Sequence, residues 1–108
     1  MTRFEGLSDS HWELLKELFP HKKQRGYPRA NPRKVLNTIL WVLITGARWC
    51  DVPVGSQWAP RSTAHGWLGI WQENGTLDSV LFHLQELADM EGLIDWERLA
   101  ADGFFSPR

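Results

Sequence analysis

The stretch from Asn31 to Gly46 constrains the fold of this chain more than any other part of the sequence. Asn31 followed by Pro32 is typical of a helix start, because asparagine caps free backbone N–H groups and proline fits the first helical position. Gly46 suits the left-handed conformation in which many helices end. Between these signals, aliphatic side chains recur at helical spacing at Val35, Leu36, Ile39, Leu40 and Leu43. This broad apolar stripe predicts that helix 32–45 is the most buried helix of the chain.

Three further stretches predict helices around this one. The first begins at Ser8, a preferred N-cap residue, and covers residues 8–19; another begins at Ser62 and covers residues 62–72. The last covers residues 77–91 and has the clearest helical rhythm. The apolar side chains that these helices would bury are Trp12, Leu15, Phe19, Ala64, Trp67, Leu68, Trp71, Leu77, Val80, Leu81, Leu84, Leu87 and Ala88.

The C-terminal residues differ in character, and the segment from Arg98 to Asp102 predicts a short strand or the start of one. We therefore expect an all-α fold, with a four-helix, helix-turn-helix-like domain over residues 1–92 and a strand or extended tail over residues 93–108. The loop 47–60 is longer than the turn of a strict helix-turn-helix, so the likeness to that motif is loose. Trp49, Val52 and Trp58 are expected to hold this loop against the core.

The charge of the chain is distributed unevenly along the sequence. The net charge is -1, yet residues 18–72 contain eight basic side chains and a single acid, Asp51. A block this basic is typical of nucleic-acid binding. Its candidate phosphate contacts are Lys22, Lys23, Arg25, Arg29, Arg33 and Lys34. A solvated loop is the alternative interpretation.

The helix 62–72 adds a second set of candidates. Its polar side carries two glycines, Gly66 and Gly69, which lower its intrinsic stability by roughly 1 kcal/mol each. The candidates for base or phosphate contact are Ser62, Thr63, His65 and Gln72, with Arg48 and Arg61 flanking them. An ordinary exposed helix face is the alternative.

Cysteine usage and hydropathy predict a cytosolic protein. Cys50 is the single cysteine, so no internal disulfide can form, and it shows no zinc-ligand spacing with the four histidines. The N-terminus lacks the apolar run of a signal peptide. The longest apolar run, from Ile39 to Ile44, is far too short to cross a bilayer.

Five stretches in the same order resemble one known family. They are LSDSHWELLKELFP, the basic loop with Gly26 and Pro28, NPRKVLNTILWVLITGARWCDVP, RSTAHGWLGIWQENGT and DWERLAADGFFS. Together, from about Leu7 to Ser106, they resemble the N-terminal part of insertion-sequence transposases with a DDE catalytic core, of insertion sequence family five.

The resemblance implies a DNA-cutting RNase H-like domain in which two aspartates and a glutamate hold two Mg²⁺ ions. Asp102, followed by Gly103, matches the first of these aspartates, so it would ligate Mg²⁺ in a full-length enzyme. The other two acids have no counterpart here, and one carboxylate does not hold two metals. We therefore expect no cofactor and no cleavage from this chain alone. It is expected to be a first-frame product of ribosomal frameshifting, a degenerate copy or a cloned fragment.

The resemblance and the basic block together predict that this chain binds double-stranded DNA at transposon ends. One alternative is an oligomerisation module that pairs with itself or with the full-length transposase and inhibits it. Another is a stand-alone transcriptional repressor, which would need sequence-specific binding.

Overall fold

The computed structural model describes residues 4–19, 31–87 and 95–101. Within these residues the chain forms five α-helices, and no strand. They are α1 (Asp9–Leu15), α2 (Pro32–Thr45), α3 (Arg61–Glu73), α4 (Thr76–Glu86) and α5 (Trp96–Ala101). Short 3-10 turns follow α1 at Lys16–Leu18 and lie between α2 and α3 at Trp49–Asp51. The predicted all-α fold class is confirmed.

Helix α2 has the ends and the buried face that the sequence predicts. The Asn31 side chain accepts hydrogen bonds from the backbone N–H groups of Arg33, at 2.9 Å, and Lys34, at 3.4 Å. Gly46 ends the helix with a φ of 72°. The predicted stripe is buried throughout. Helix α2 has eight buried side chains, more than any other described helix, so it is the most buried helix, as predicted, and forms the centre of the core.

Helix α3 packs against α2 and α4 through its apolar side. As predicted, Ala64, Leu68 and Trp71 are buried and Trp67 is half-buried. The Trp71 ring also meets Phe19, at a centroid distance of 4.8 Å, which ties the end of the first helical segment to α3. Trp49 and Trp58 pack against the same core, as predicted for the loop before α3. The side chains on the opposite side of α3 are mostly exposed.

Two predicted helix ends are wrong. Helix α3 begins at Arg61, and Ser62 is not its cap: Pro60 occupies the N-cap position with a φ of -58°, and no side chain caps the helix. The Ala64 N–H already bonds to the Pro60 carbonyl at 2.9 Å, so Ser62 lies inside the first turn. Helix α4 ends at Glu86 rather than at residue 91, because Leu87 adopts an extended conformation and packs against the core. Gly92 lies outside the described residues.

The predicted C-terminal strand is also wrong, because residues 98–101 belong to α5. The Asp95 carboxylate accepts a hydrogen bond from the Arg98 N–H at 3.1 Å, which is the geometry of a helix N-cap. Leu99 is buried in the same core as α2, and the Arg98 guanidinium donates to the Leu43 carbonyl near the end of α2. The domain boundary at residue 92 and the character of residues 102–108 stay predictions.

We expect Gly46→Ala to lower the free energy of unfolding by about 1–2 kcal/mol, because an L-residue in the left-handed region is strained. A Cβ here would also lie 2.9 Å from Nη1 of Arg98, so that side chain must shift. Gly66→Ala is the matched control: this glycine is inside a helix, and its Cβ would meet nothing within 4 Å. The control should gain roughly 0.5–1 kcal/mol. Urea unfolding measures both, and equal signs would contradict the assignment of Gly46 as a helix terminator.

Candidate nucleic-acid interface

The structure describes part of the predicted DNA-binding set. The predicted residues within the described ranges are Arg33, Lys34, Arg48, Arg61, Ser62, Thr63, His65 and Gln72. Lys22, Lys23, Arg25, Arg29 and Asp102 lie outside these ranges, so their roles stay predictions.

The outer face of α3 is mostly exposed to solvent. Its exposed residues are Arg61, Ser62, His65, Gly66, Gly69, Gln72 and Glu73, and Thr63 is half-buried at its edge. A Cβ at either glycine would meet no atom within 4 Å, so no part of the described chain occupies the space above them. Glu73 is the single acid on the helix and lies at its last residue. The face is therefore accessible and carries no negative charge until its last residue.

The start of α3 combines free backbone donors with a cation. No side chain accepts a hydrogen bond from the N–H groups of the first turn, and that turn contains no acid. Such N–H groups have no partner inside the helix and form the positive end of its dipole. Arg61 adds a full positive charge at the same place. This end of α3 favours an anion electrostatically.

The loop between α2 and α3 lies against this face through an aromatic contact. The Trp49 ring meets the His65 ring edge-on, with centroids 5.4 Å apart and planes at 84°. Arg48, the residue before Trp49, is exposed and pairs with Asp51 at 3.2 Å. No local sequence pattern predicts the Trp49–His65 contact, because the two residues are far apart along the chain. It places the loop that carries Arg48 at the side of α3.

The cations at the starts of α2 and α3 differ in what they contact. Nη1 of Arg33 lies 2.7 Å from the Asp9 carboxylate and its Nη2 donates to the Leu7 carbonyl at 2.8 Å. This guanidinium holds the segment before α1 onto α2. Lys34 and Arg61 are exposed and pair with no acid among residues 4–19, 31–87 and 95–101. Of the described candidates, these two have the charge most available to an anionic partner.

Two buried polar side chains on α2, Asn37 and Thr38, are not among the residues predicted from the sequence. Both lie among the apolar residues of the stripe, and both bond to segments outside α2. Thr38 bonds to Ala59 and Asn37 to Gln57, so both reach the segment immediately before α3. A polar pair between buried aliphatic residues is the signal that marks them.

Neither a metal site nor a membrane span is found in the described part of the chain. Mg²⁺ requires several hard oxygen ligands. Across residues 4–19, 31–87 and 95–101, no three His, Cys, Asp or Glu side chains lie close enough to hold a metal ion. Asp102, which the resemblance assigns to a magnesium centre, lies outside these ranges, so its role as a ligand stays a prediction. No helix in the same ranges is long and apolar enough to span a membrane.

The fold and the site define a small all-α domain that presents one open helix face beside exposed cations. Residues 7–81 match the model of the family described as "Putative transposase of IS4/5 family". The chain belongs to this family. The resemblance to insertion-sequence transposases is thereby confirmed at the level of the family, whereas the position of the first catalytic aspartate and the truncation stay predictions.

Two curated proteins are similar in sequence to this chain. The chain is 36% identical over 94 residues to the uncharacterized protein y4sN of Sinorhizobium fredii, covering 83% of this chain and 71% of that protein. It is 33% identical over 103 residues to an uncharacterized 16.2 kDa protein of the insertion element IS402 from Burkholderia cepacia, covering 89% of this chain and 69% of that protein. No solved structure matches the chain.

Proposed function

We propose that this chain is the DNA-binding part of an IS4/5-type transposase and that it binds double-stranded DNA at transposon ends. The observation that carries the proposal is the outer face of α3. This face is exposed from Arg61 to Gln72, carries no acid over that length and begins with an uncapped, cationic turn. A helix of this kind, held from behind by two others, has the form of an element that enters the DNA major groove.

Phosphate contacts would supply most of the affinity. Lys34 and Arg61 have no acid partner among the described residues, and Arg48 is exposed beside its partner Asp51. The basic segment 22–29, which lies outside the described residues, would add four further cations. Cations at this density bind the DNA backbone without reading its sequence and release condensed counterions as they do so.

Sequence reading would fall to the polar side chains of α3. Gln72 can make paired hydrogen bonds to adenine, and His65 can reach a base edge or a phosphate. Ser62 and Thr63, in the first turn, are suited to backbone phosphates. The exposed glycines between them, Gly66 and Gly69, let a DNA strand approach the helix backbone closely.

The oligomerisation alternative draws less support. It requires the apolar stripes of the first and fourth predicted helices at the surface. The residues of those stripes that the structure buries are Leu15, Phe19, Leu77, Val80, Leu81 and Leu84. They form part of the chain's own core, so they offer no surface to a partner. This observation favours DNA binding.

The chemistry of cleavage is assigned to a complete enzyme. There Asp102 would be one of three carboxylates around Mg²⁺, as the resemblance implies, and the present chain would supply the DNA contacts. A cytoplasmic location, where such an enzyme meets DNA, remains part of the proposal.

A titration of labelled duplex DNA at increasing salt tests the proposal. If all seven of these cations, Lys34, Arg48, Arg61 and the four of segment 22–29, contact phosphates, the logarithm of the association constant should fall with a slope of about -6 against the logarithm of salt concentration. Fluorescence anisotropy measures this slope. A duplex that carries a transposon end should bind more tightly than a scrambled duplex of equal length if α3 reads sequence. No affinity at low salt, or affinity that does not depend on salt, would refute DNA binding.

A further inference from the structure

We propose that Asn37 and Thr38 are positioning residues for DNA binding. They fix the segment that leads into α3, and they thereby hold Arg61 at a set place relative to Lys34. The inference rests on the proposed function, and it explains how the two exposed cations are held together in one binding surface.

Thr38 fastens the chain two residues before α3. Its side chain is fully buried, and its Oγ1 accepts a hydrogen bond from the Ala59 N–H at 2.9 Å. The single hydroxyl proton can be donated to the Ala59 carbonyl at 3.2 Å or to the Lys34 carbonyl at 3.1 Å. Since Ala59 is separated from Arg61 by Pro60 alone, the hydroxyl sets where α3 begins.

Asn37 fastens the same segment and a second one. Its Nδ2 donates to the Gln57 carbonyl at 3.0 Å, and its Oδ1 accepts from the Leu7 N–H at 2.8 Å. The Gln57 side chain in turn donates to the Glu5 carbonyl. The segments 4–8 and 57–59 are therefore both held to α2, and to each other, through the Asn37 amide.

The placement of these bonds argues for positioning as well as stability. A buried hydrogen bond adds only about 0.5–1.5 kcal/mol, but an apolar residue at position 38 would leave the buried Ala59 N–H without a partner, at a cost of about 1–3 kcal/mol. What satisfied polar groups add is a defined arrangement, because any other arrangement leaves a buried donor or acceptor unpaired. Here the arrangement holds two cations in a set relative position, because Lys34 lies one helical turn before Thr38 and Arg61 lies two residues after Ala59.

The Thr38→Val variant tests the inference, because it removes the hydroxyl and leaves a side chain of similar size. We expect its affinity for duplex DNA to fall about five- to tenfold, since the start of α3 must then be ordered on binding. Thr38→Ser keeps the hydroxyl and should stay within about twofold of the unmodified chain. Val80→Ala, in the buried face of α4, is the stability control. Compared at equal folded fraction, it should bind DNA as the unmodified chain does.

Hydrogen exchange supplies a readout that needs no DNA. The Ala59 N–H and the Ala64 N–H, which makes the first helical bond of α3, should exchange faster in Thr38→Val than in Val80→Ala after correction for global stability. If both variants show the same exchange, or if Thr38→Val exchanges faster yet binds DNA with unchanged affinity, positioning is overturned. If the unmodified chain does not bind DNA, the proposed function fails, while the exchange data still decide whether Thr38 fixes the start of α3.

Discussion

Leu36→Ala is expected to lower the free energy of unfolding by about 2–5 kcal/mol. Leu36 lies on α2, and its side chain is fully buried in the hydrophobic core. Removing three carbon atoms there loses their transfer free energy and leaves a cavity that the surrounding helices cannot fill completely. A domain of this size has a stability of about 5–15 kcal/mol, so the loss is a large fraction of the total.

Leu14→Ala is the matched control for this change. It removes the same atoms from another helix, but the Leu14 side chain is 58% exposed, so the change should stay within about 0.5 kcal/mol. Urea unfolding followed by tryptophan fluorescence measures both variants, since the chain carries seven tryptophans. If the two variants lose equal stability, α2 is not the centre of the core.

The parts of the fold that the sequence predicts well are set by neighbours along the chain. Both ends of α2 depend on caps within a few residues, at Asn31 and Gly46, and its buried stripe depends on helical periodicity. The exposed face of α3 follows from the same periodicity. Each of these signals can be read without knowing what the helix packs against.

The incorrect predictions arose where a local signal had a competitor. Ser62 is a preferred N-cap residue, but Pro60 occupies the N-cap position, so α3 begins at Arg61. The apolar rhythm continues past Glu86, but Leu87 packs against the core in an extended conformation and ends α4. Residues 98–101 are too few to show a period, so the Asp95 cap was the informative signal, and it indicates a helix.

Within the site, the sequence identifies cations but not their partners. Arg33 and Lys34 are adjacent and were predicted together as phosphate contacts. In the structure, Arg33 is bound to Asp9 and to the Leu7 carbonyl, whereas Lys34 is exposed. Thr38 and Ala59 are 21 residues apart, so no local pattern predicts their bond. Which side chains form ion pairs or hydrogen bonds depends on the tertiary structure, whereas the sequence shows only which charged and polar residues the chain contains.

The double charge reversal Lys34→Glu with Arg61→Glu should weaken DNA binding by about 25-fold or more at 0.15 M salt. Each phosphate contact contributes a slope of about -0.9 against the logarithm of salt concentration. At 0.15 M salt, one contact therefore raises the association constant about fivefold relative to about 1 M salt. Two contacts are lost, and the new acids repel phosphates besides. The salt slope should therefore become shallower by about 2. Anisotropy titration over a range of salt concentrations gives both quantities.

Lys16→Glu provides the control for net charge. Lys16 is a cation outside the proposed surface and pairs with Glu13 at 2.7 Å. When Lys16→Glu is combined with a reversal at either Lys34 or Arg61, the resulting double variant has the same net charge as Lys34→Glu with Arg61→Glu, so their affinities for DNA can be compared directly. By itself this change should leave the salt slope within about 0.5 of the original, because it removes no phosphate contact. If Lys16→Glu weakens binding as much as Arg61→Glu does, the protein binds DNA through its overall charge, and the face of α3 is not the contact surface.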